Sequence, residues 1–371
     1  MKRRNSRKWI WIFLTVCWVL SLATIFLLGK ACCQSQVGNG ISAHGALRVD
    51  GTKLRDESGE VVVLQGFSSH GLGWYPRYLN GAAMDTLSQA GANVMRLAMY
   101  TEANNGYLES PEENLNYLYM GIETVLAADL YVIVDWHILR DGNPNTYITE
   151  ASAFFNEIST HYKDHPGIIY EICNEPNGDT TWEDVSDYAN IIIPIIRENA
   201  PNSIILVGTP NYCTDFSGPK EDPLSFSNIM YSMHRYVDVS QYKPCDVYLI
   251  NSVVQAQLPV FVSEWGVTGG SAVPASRSED YPENAKPFLE YMQQHDISWT
   301  AWALSNNDES HSTFHKDSNK LSNWTESDLT SFGKLIFESL WPEQTDSFCL
   351  TNIESLARSL GLCRNNRRWC P

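Results

Sequence analysis

Short apolar runs alternate with amphipathic stretches along most of the chain. Eight of these runs are rich in β-branched and aromatic residues and are separated by segments with helical spacing; they read VVVLQGF, NVMRLAMY, YVIVDWHI, GIIYEIC, SIILVG, IMYSMHRY, PVFVSEWG and SWTAWAL. Strands that alternate with helices usually pair in parallel, and eight of them are enough to close a barrel. The pattern therefore predicts the α/β class and a (β/α)8 TIM barrel.

Two local patterns support this architecture. In the stretch 148–162 the apolar residues recur every three or four positions, which predicts a helix with one buried face. Ahead of the first strand, the sequence between Leu47 and Val62 contains a DG pair at 50–51 and an SG pair at 58–59. Such pairs are typical of hairpin turns, so we expect a small N-terminal β-hairpin that covers one end of the barrel.

The first residues have the composition of an export signal. Five basic residues among the first eight precede an uncharged run from Trp9 to Gly29, and roughly 20 apolar residues are enough to cross a bilayer. A basic flank holds its end of such a helix in the cytoplasm and directs the remainder outwards. We expect residues 1–31 to be a cleaved signal peptide or an uncleaved membrane signal anchor. The protein would then be extracellular, either secreted or anchored to the outer face of the cell membrane.

The remainder of the chain is long for an average domain but ordinary for one α/β barrel with loop insertions. We expect a linker over 32–46, a single barrel domain over 47–342 and a cysteine-containing tail over 343–371, whose role the sequence does not indicate. Nothing in the sequence indicates an oligomer, so a monomer is expected.

Charge and cysteine content narrow the class of partner. The first 31 residues hold six of the 26 Lys and Arg and none of the 43 Asp and Glu, so the rest of the chain is strongly acidic. Such a surface repels nucleic acid and suits a neutral ligand.

The nine cysteines have no metal-site spacing, and neither a metal nor a cofactor is expected. Cys173 lies in an apolar run and is expected to be a free thiol, whereas the pairing candidates, with open connectivity, are Cys213, Cys245, Cys349, Cys363 and Cys370.

Polar residues that terminate the apolar runs are the candidates for chemistry, because the active site of such a barrel collects at the carboxyl ends of the strands. They are His70, Arg96, His137, Asn174, Glu175, His234, Tyr236, Glu264 and Trp302. Glu175 in IYEICNEP and Glu264 in VFVSEWG follow strongly apolar runs, where burial of a carboxylate is costly unless it is compensated. Hydrolysis of a glycosidic bond requires two such groups, one to protonate the leaving oxygen and one to attack or to activate water.

The same segments resemble glycoside hydrolase family 5, in particular its bacterial cellulase branch. The matching stretches run through nearly the whole barrel, from GFSSHGLGW through NVMRLAMYT, YVIVDWHIL, IIYEICNEPNG and FVSEWG to WTAWALSNNDES. The resemblance implies a retaining endo-β-1,4-glucanase, a cellulase, that hydrolyses internal bonds of a cellulose-like β-glucan. Carried over position by position, it makes Glu175 the acid/base and Glu264 the nucleophile.

The resemblance also assigns roles around this pair. Arg96 would contact the nucleophile and lower its pKa, and Tyr236 would form a hydrogen bond with the same carboxylate. Asn174 would hold the sugar 2-hydroxyl. The other implied substrate contacts are the histidines His70, His137 and His234 and the stacking tryptophans Trp74 and Trp302. Double displacement further requires Glu264 to be ionised and Glu175 to be protonated near the working pH.

One departure from the family concerns sugar contacts after the eighth strand. Close relatives often carry a lysine there, whereas Asn307 occupies that place; Glu309, two residues on, fits the family pattern. Both residues are expected to contact substrate. The preferred substrate stays open between cellulose-like glucan, mixed-linkage β-glucan, β-mannan and xylan.

Two other classes of protein compete with this interpretation. A metal hydrolase could use the three strand-end histidines, but the first strand lacks the His-x-His pair that is usual in such barrels. His311 and His315 lie in a polar loop and are expected to face solvent. A non-catalytic extracellular glycan-binding protein would need the aromatic residues but not two matched carboxylates.

Overall fold

The computed structural model describes residues 39–163, 165–239, 245–268 and 282–340. Its strands are β1 (Arg48–Asp50), β2 (Lys53–Arg55), β3 (Gln65–Ser69), β4 (Val94–Tyr100), β5 (Tyr131–His137), β6 (Ile168–Glu171), β7 (Ile204–Gly208), β8 (Ile229–Asp238), β9 (Val260–Thr268) and β10 (Trp299–Leu304). The longer helices are α1 (Gly81–Gln89), α2 (Pro111–Ala127), α3 (Ile148–His161), α4 (Trp182–Asn199), α5 (Cys245–Gln255), α6 (Lys286–Gln294) and α7 (Ser331–Leu340).

The predicted signal or anchor (1–31) and the predicted tail (343–371) lie outside the described residues. Within the described ranges, no helix combines the length and the apolar character that a bilayer crossing requires.

Strands β3 to β10 form a closed barrel in which neighbouring strands run parallel and β10 pairs with β3. This arrangement confirms the predicted (β/α)8 TIM barrel, and β1 and β2 form the predicted antiparallel hairpin. The first barrel strand begins at Gln65 rather than at Val61. The reason is that Val62 belongs to the hairpin region, where its N–H donates to the carbonyl of Leu54.

Helix α3 matches the predicted amphipathic stretch. It buries Ala151, Phe154, Phe155 and Ile158 against the barrel. Full burial of one such aromatic side chain stabilises the fold by roughly 1.5–3 kcal/mol relative to exposure. The repeat of three and four residues in the sequence therefore reports the face that the barrel covers.

The amino-terminal end of the barrel is closed by apolar side chains. Leu47 and Leu54 pack in one buried cluster with inward-facing strand residues, among them Tyr131, Ile169 and Phe261. The hairpin region is therefore the predicted cover on this end, and the opposite, carboxyl end of the barrel carries the polar residues.

The described part of the predicted linker, residues 39–46, packs on the barrel. The Ile41 N–H donates to the backbone carbonyl of Asp129 at 3.2 Å, and the Ser42 hydroxyl donates to the Asp129 carboxylate at 2.6 Å. This segment is part of the fold, so the linker prediction is wrong over these residues. A four-residue helical turn, Ile41–His44, is too short to give a periodic signal in the sequence.

An irregularity in β9 directs two consecutive side chains into the barrel. Ser232 of β8 is opposite Phe261, and His234 is opposite Glu264, so two steps along β8 match three along β9. The extra residue is a β-bulge, which bends a strand and re-aims its side chains. As a result both Ser263 and Glu264 reach polar partners inside the barrel.

Candidate active site

The carboxyl end of the barrel brings together most of the predicted strand-end residues. Those that are buried there are His70, Arg96, His137, Asn174, Glu175, His234, Glu264 and Trp302. Glu175 lies in the loop after β6, and Glu264 lies on β9. An oxygen of one carboxylate lies within 4.8 Å of an oxygen of the other. The two candidate catalytic groups therefore face the same small space.

Each oxygen of the Glu264 carboxylate accepts a hydrogen bond. The Tyr236 hydroxyl donates to Oε1 at 2.7 Å, and the Arg96 guanidinium donates to Oε2 at 3.0 Å. Burial and the charge of Glu264 raise the pKa of Tyr236 well above its ordinary value, so the phenol keeps its proton. The two donors hold the carboxylate in one orientation.

Arg96 is the electrostatic centre of the site. It lies in the middle of β4, not at its end as the sequence pattern indicated, because the strand continues to Tyr100. Its fully buried guanidinium is 2.6 Å from Glu171, 3.0 Å from Asp135 and 3.0 Å from Glu264. Burial opposes the charge of Arg96, but these carboxylates outweigh it and raise the pKa further above its ordinary value.

The candidate acid, Glu175, is paired with a histidine. Glu175 Oε1 lies 2.9 Å from His234 Nδ1. Burial disfavours the charged form of His234, but Glu264, Glu171 and Glu175 outweigh it and raise the pKa of His234 to about 10. Burial also opposes the ionisation of Glu175, yet the hydrogen bond and the charge of His234 lower the pKa of this carboxyl.

This pairing corrects the expected protonation of Glu175. The sequence-based expectation placed the acidic proton on the carboxyl near the working pH, whereas the structure favours it on the imidazole of His234. The two groups are strongly coupled and titrate as a pair. A pair that holds one transferable proton can still serve as a general acid, since the proton has only to cross one hydrogen bond to reach the carboxyl.

Aromatic rings form one wall of the site. The rings of His137 and Trp302 are 5.2 Å apart and nearly parallel, and Tyr100 lies 4.0 Å from His137. His70 is 5.2 Å from Trp302, and Trp74 is 4.7 Å from Tyr100. Burial lowers the pKa of His137 to about 3, so its ring is neutral. Both predicted stacking tryptophans therefore belong to a continuous aromatic surface.

The two predicted asparagines differ in how firmly they are held. Asn174 Oδ1 accepts from Arg96 at 2.6 Å and Nδ2 donates to the carbonyl of Ile138 at 2.9 Å. One amide hydrogen of Asn174 remains for another acceptor. Asn307 is half-buried in the loop after β10, where its side-chain oxygen accepts from the backbone of Asp308.

Glu309 lies at the rim between two histidines. Its Oε2 is 3.2 Å from His311 Nε2 and 3.8 Å from His70 Nε2. The ring of His311 also packs edge-on against Tyr236 at 5.1 Å. The expectation that His311 faces solvent is therefore wrong, because the loop folds back onto the barrel mouth, whereas His315 is exposed as expected.

A left-handed turn braces the loop that carries the candidate acid. Asn211, Tyr212 and Cys213 all have φ between 55° and 58°, a conformation that costs L-residues roughly 1–2 kcal/mol each. The Tyr212 N–H donates to the Pro176 carbonyl at 3.0 Å, and the Cys213 thiol donates to the Asn174 carbonyl at 2.9 Å. These two contacts attach the turn to the residues on either side of the acid.

Two cysteines near this turn are free and buried, Cys173 and Cys213. The first was predicted to be a core thiol, and the structure confirms it. The assignment of Cys213 as a disulfide candidate is wrong, since its thiol is fully buried beside the active-site loop; burial raises its pKa well above the ordinary value. Pairing among the remaining cysteines stays a prediction.

Three buried residues of the site were not predicted: Asp135, Glu171 and Ser263. All three lie within the predicted strands, whereas the predicted site residues were those that end the apolar runs. A carboxylate in the middle of an apolar run costs several kcal/mol unless a cation meets it. The acids inside YVIVDWHI and GIIYEIC could therefore have indicated the buried partner Arg96.

Among the described residues, three groups could offer ligand atoms to a metal within 4.8 Å of one another: Glu175, His234 and Glu264. The groups around these three side chains favour proton transfer over metal binding. The Arg96 guanidinium lies against Glu264, and the raised pKa of His234 makes the imidazole a cation beside Glu175. Metal binding would require His234 to be neutral and would add positive charge next to Arg96. This arrangement of charges therefore suits proton transfer better than metal binding.

Comparison with protein families gives a match along the barrel. The model described as Cellulase (glycosyl hydrolase family 5) matches residues 55–308. An endoglucanase of Clostridium saccharobutylicum is 38% identical over 308 residues, which are 82% of this chain and 67% of that protein. Endoglucanase A of Butyrivibrio fibrisolvens is 40% identical over 304 residues, which are 80% of this chain and 69% of that protein.

Solved structures give a consistent result. The catalytic domain of Thermobifida fusca endoglucanase Cel5A, as a variant in complex with cellotetraose, is similar with a TM-score of 0.73 and 30% sequence identity. The similarity covers 81% of this chain and 99% of that domain. A thermostable, halotolerant cellulase of the same family from an Icelandic hot spring isolate has a TM-score of 0.74 and 34% identity, covering 81% of this chain and 96% of that one.

Proposed function

Because the chain belongs to glycosyl hydrolase family 5, the cellulase family, we propose that it is an endo-β-1,4-glucanase that hydrolyses its substrate with retention of configuration. The observation that carries this proposal is the approach of two buried carboxylates, Glu175 and Glu264, to within 4.8 Å between oxygens. Retaining enzymes hold their carboxyl groups about 5–5.5 Å apart, whereas inverting enzymes need about 6.5–9.5 Å to admit water.

In the first step, a carboxylate oxygen of Glu264 attacks the anomeric carbon of the sugar. The bond between that carbon and the glycosidic oxygen breaks, and its electron pair goes to the leaving oxygen. The leaving oxygen takes a proton from Glu175, which has received it from His234. The products are a glycosyl ester on Glu264 and the released aglycone sugar.

In the second step, water attacks the anomeric carbon of the glycosyl ester. Glu175 accepts a proton from this water, and Glu264 departs as a carboxylate. Negative charge returns to Glu264 at this point, and the donors on its two oxygens, Tyr236 at 2.7 Å and Arg96 at 3.0 Å, are in place to stabilise it.

Substrate contacts follow from the wall and the rim of the site. Trp302 and Trp74 offer aromatic faces for pyranose rings, and Asn174 has an amide hydrogen for the 2-hydroxyl. Asn307 and Glu309 at the rim would contact sugar hydroxyls. A cellulose-like glucan is supported by the names of the relatives and by the cellotetraose complex of a similar domain. Mixed-linkage β-glucan and β-mannan are the alternatives on the same barrel.

We also propose that the protein acts outside the cell as a monomer. The uncharged run from Trp9 to Gly29 with its basic flank supports export, either with cleavage or with retention as an anchor. A polymeric glucan is itself found outside the cytoplasm of an organism that feeds on it, which agrees with this location.

A panel of polysaccharides tests the proposed function. The full chain should hydrolyse carboxymethylcellulose and mixed-linkage β-glucan faster than mannan or xylan. The viscosity of carboxymethylcellulose should fall well before reducing ends accumulate, because internal bonds are cut. Faster hydrolysis of mannan or xylan would contradict the substrate assignment. Binding of cellulose without any release of reducing ends would indicate a glycan-binding protein instead.

A further inference from the structure

Glu171 is a buried carboxylate whose hydrogen-bond partners contact the surroundings of both candidate catalytic glutamates. Its side chain is fully buried at the end of β6. Oε2 accepts a hydrogen bond from Arg96 Nε at 2.6 Å, and Arg96 also donates to Glu264. Oε1 accepts from two serine hydroxyls, Ser232 and Ser263, each at 2.6 Å. The acid and nucleophile steps make no direct use of this carboxylate.

The hydrogen bonds through Ser263 define which nitrogen of His234 is protonated. A serine hydroxyl has one proton to donate, and Ser263 gives it to Glu171. Burial opposes the ionisation of Glu171, but the charge of Arg96, together with His234 and the hydrogen bond from Ser232, outweighs it and lowers the pKa of this carboxyl, so it is an acceptor. The Ser263 oxygen lies 3.1 Å from His234 Nε2 and must accept from it. Nδ1, which is 2.9 Å from Glu175, is then the nitrogen that exchanges a proton with the acid.

We propose that Glu171 is a positioning residue for the acid step: through Ser263 it holds Nε2 of His234 protonated, so that one mobile proton is shared between Nδ1 and Glu175. The inference rests on the proposed function and adds a positioning element to it. Without this constraint, a neutral His234 could carry its hydrogen on Nδ1 and donate it to ionised Glu175. That arrangement would stabilise the deprotonated pair, so the pair would lose its acidic proton at a lower pH.

The charges around His234 act in the same direction. The charged and titratable groups that act on it from the neighbouring strands and loops are Glu171, Glu175, Glu264, Asp135 and His137, and Arg96 lies against two of these carboxylates, Glu171 and Glu264. Burial disfavours the imidazolium, and the carboxylates Glu264, Glu171 and Glu175 outweigh that effect. Geometry and charge therefore both retain the proton of the pair into the alkaline range.

The two serines provide a matched test. Both are fully buried and donate to the same oxygen of Glu171 at 2.6 Å, but Ser263, unlike Ser232, also lies within hydrogen-bond distance of His234. Ser263→Ala should move the alkaline limb of kcat/KM on carboxymethylcellulose to lower pH by about one unit or more. Ser232→Ala should leave the limb near its wild-type position, and Ser263→Thr, which restores a hydroxyl, should return it there. Glu171 itself is left unaltered, because its removal would leave Arg96 short of a buried partner.

A second measurement does not depend on turnover. NMR of the full chain with isotope-labelled histidine should show His234 protonated at Nε2, and Ser263→Ala should change the signals of this ring while Ser232→Ala does not. Equal shifts of the alkaline limb in the two alanine variants, or an unaltered His234 ring in Ser263→Ala, would overturn the positioning role. A chain that shows the NMR difference but does not hydrolyse β-glucan would contradict the proposed function alone.

Discussion

Glutamine in place of Glu264 should lower kcat on a β-1,4-glucan by a factor on the order of 10⁴ or more. An amide does not form the glycosyl ester on which double displacement depends, whereas its size is nearly that of the carboxyl. Arg96 would still face Asp135 and Glu171, so the buried cation keeps two partners and the fold should persist. The rate of release of reducing ends, measured beside thermal unfolding, checks both statements.

The matched control is Glu290→Gln, which makes the same chemical change at an exposed position on helix α6. This variant should keep the wild-type rate. If Glu264→Gln kept activity within a factor of about 100 of wild type, Glu264 would be excluded as the nucleophile. General acid catalysis alone contributes effects of that order, and loss of the nucleophile should lower the rate by more.

Replacing Glu175 by alanine should affect substrates according to their leaving groups. On carboxymethylcellulose, whose leaving sugar oxygen needs a proton, kcat/KM should fall by about 10²–10⁴-fold. On dinitrophenyl β-cellobioside, whose leaving group departs unprotonated, kcat/KM should fall far less. Deglycosylation also loses its base, so kcat on this substrate should drop and recover when azide, which needs no deprotonation, replaces water as the nucleophile.

Comparison of the two substrates in the same variant separates an acid from a structural residue. A residue that only shaped the site would lower kcat/KM on both by a similar factor. Equal losses on the two substrates, with no recovery in azide, would therefore remove Glu175 from the acid/base role.

Hydrophobic patterning was sufficient for the barrel because each strand packs its outer face against helices and so appears as an apolar run. The same signal failed at the first strand. The segment from Val61 to Leu64 is as apolar as a strand. Val62 and Leu64, however, pack in the cluster that closes the amino-terminal end of the barrel, and β3 begins only at Gln65. An apolar run reports burial, and it does not distinguish a strand from a buried connection.

The sequence could predict those residues of the candidate site that lie at the ends of apolar runs. Arg96 and the acids inside the strands form a network that depends on distances across the barrel, such as the 2.6 Å contact between Arg96 and Glu171. No local pattern contains that information. The bulge in β9 is a further limit: strict alternation would direct only one of Ser263 and Glu264 inwards, and the register shift directs both.

The protonation of the acid was the least accessible property. From the sequence, Glu175 was expected to hold its own proton, because the double displacement that the resemblance implies requires a protonated acid. The contact of 2.9 Å with His234 reverses that direction. Which residue stores the proton is decided by a partner 59 positions away along the chain.

The stereochemistry of the first product tests the proposed double displacement most directly. Proton NMR of a cello-oligosaccharide during hydrolysis by the full chain resolves the anomers of newly formed reducing ends before they interconvert. Two successive displacements at the anomeric carbon, through an ester on Glu264, predict that the β anomer accumulates first and the α anomer follows by mutarotation. Initial accumulation of the α anomer would contradict retention, and with it the nucleophilic role of Glu264.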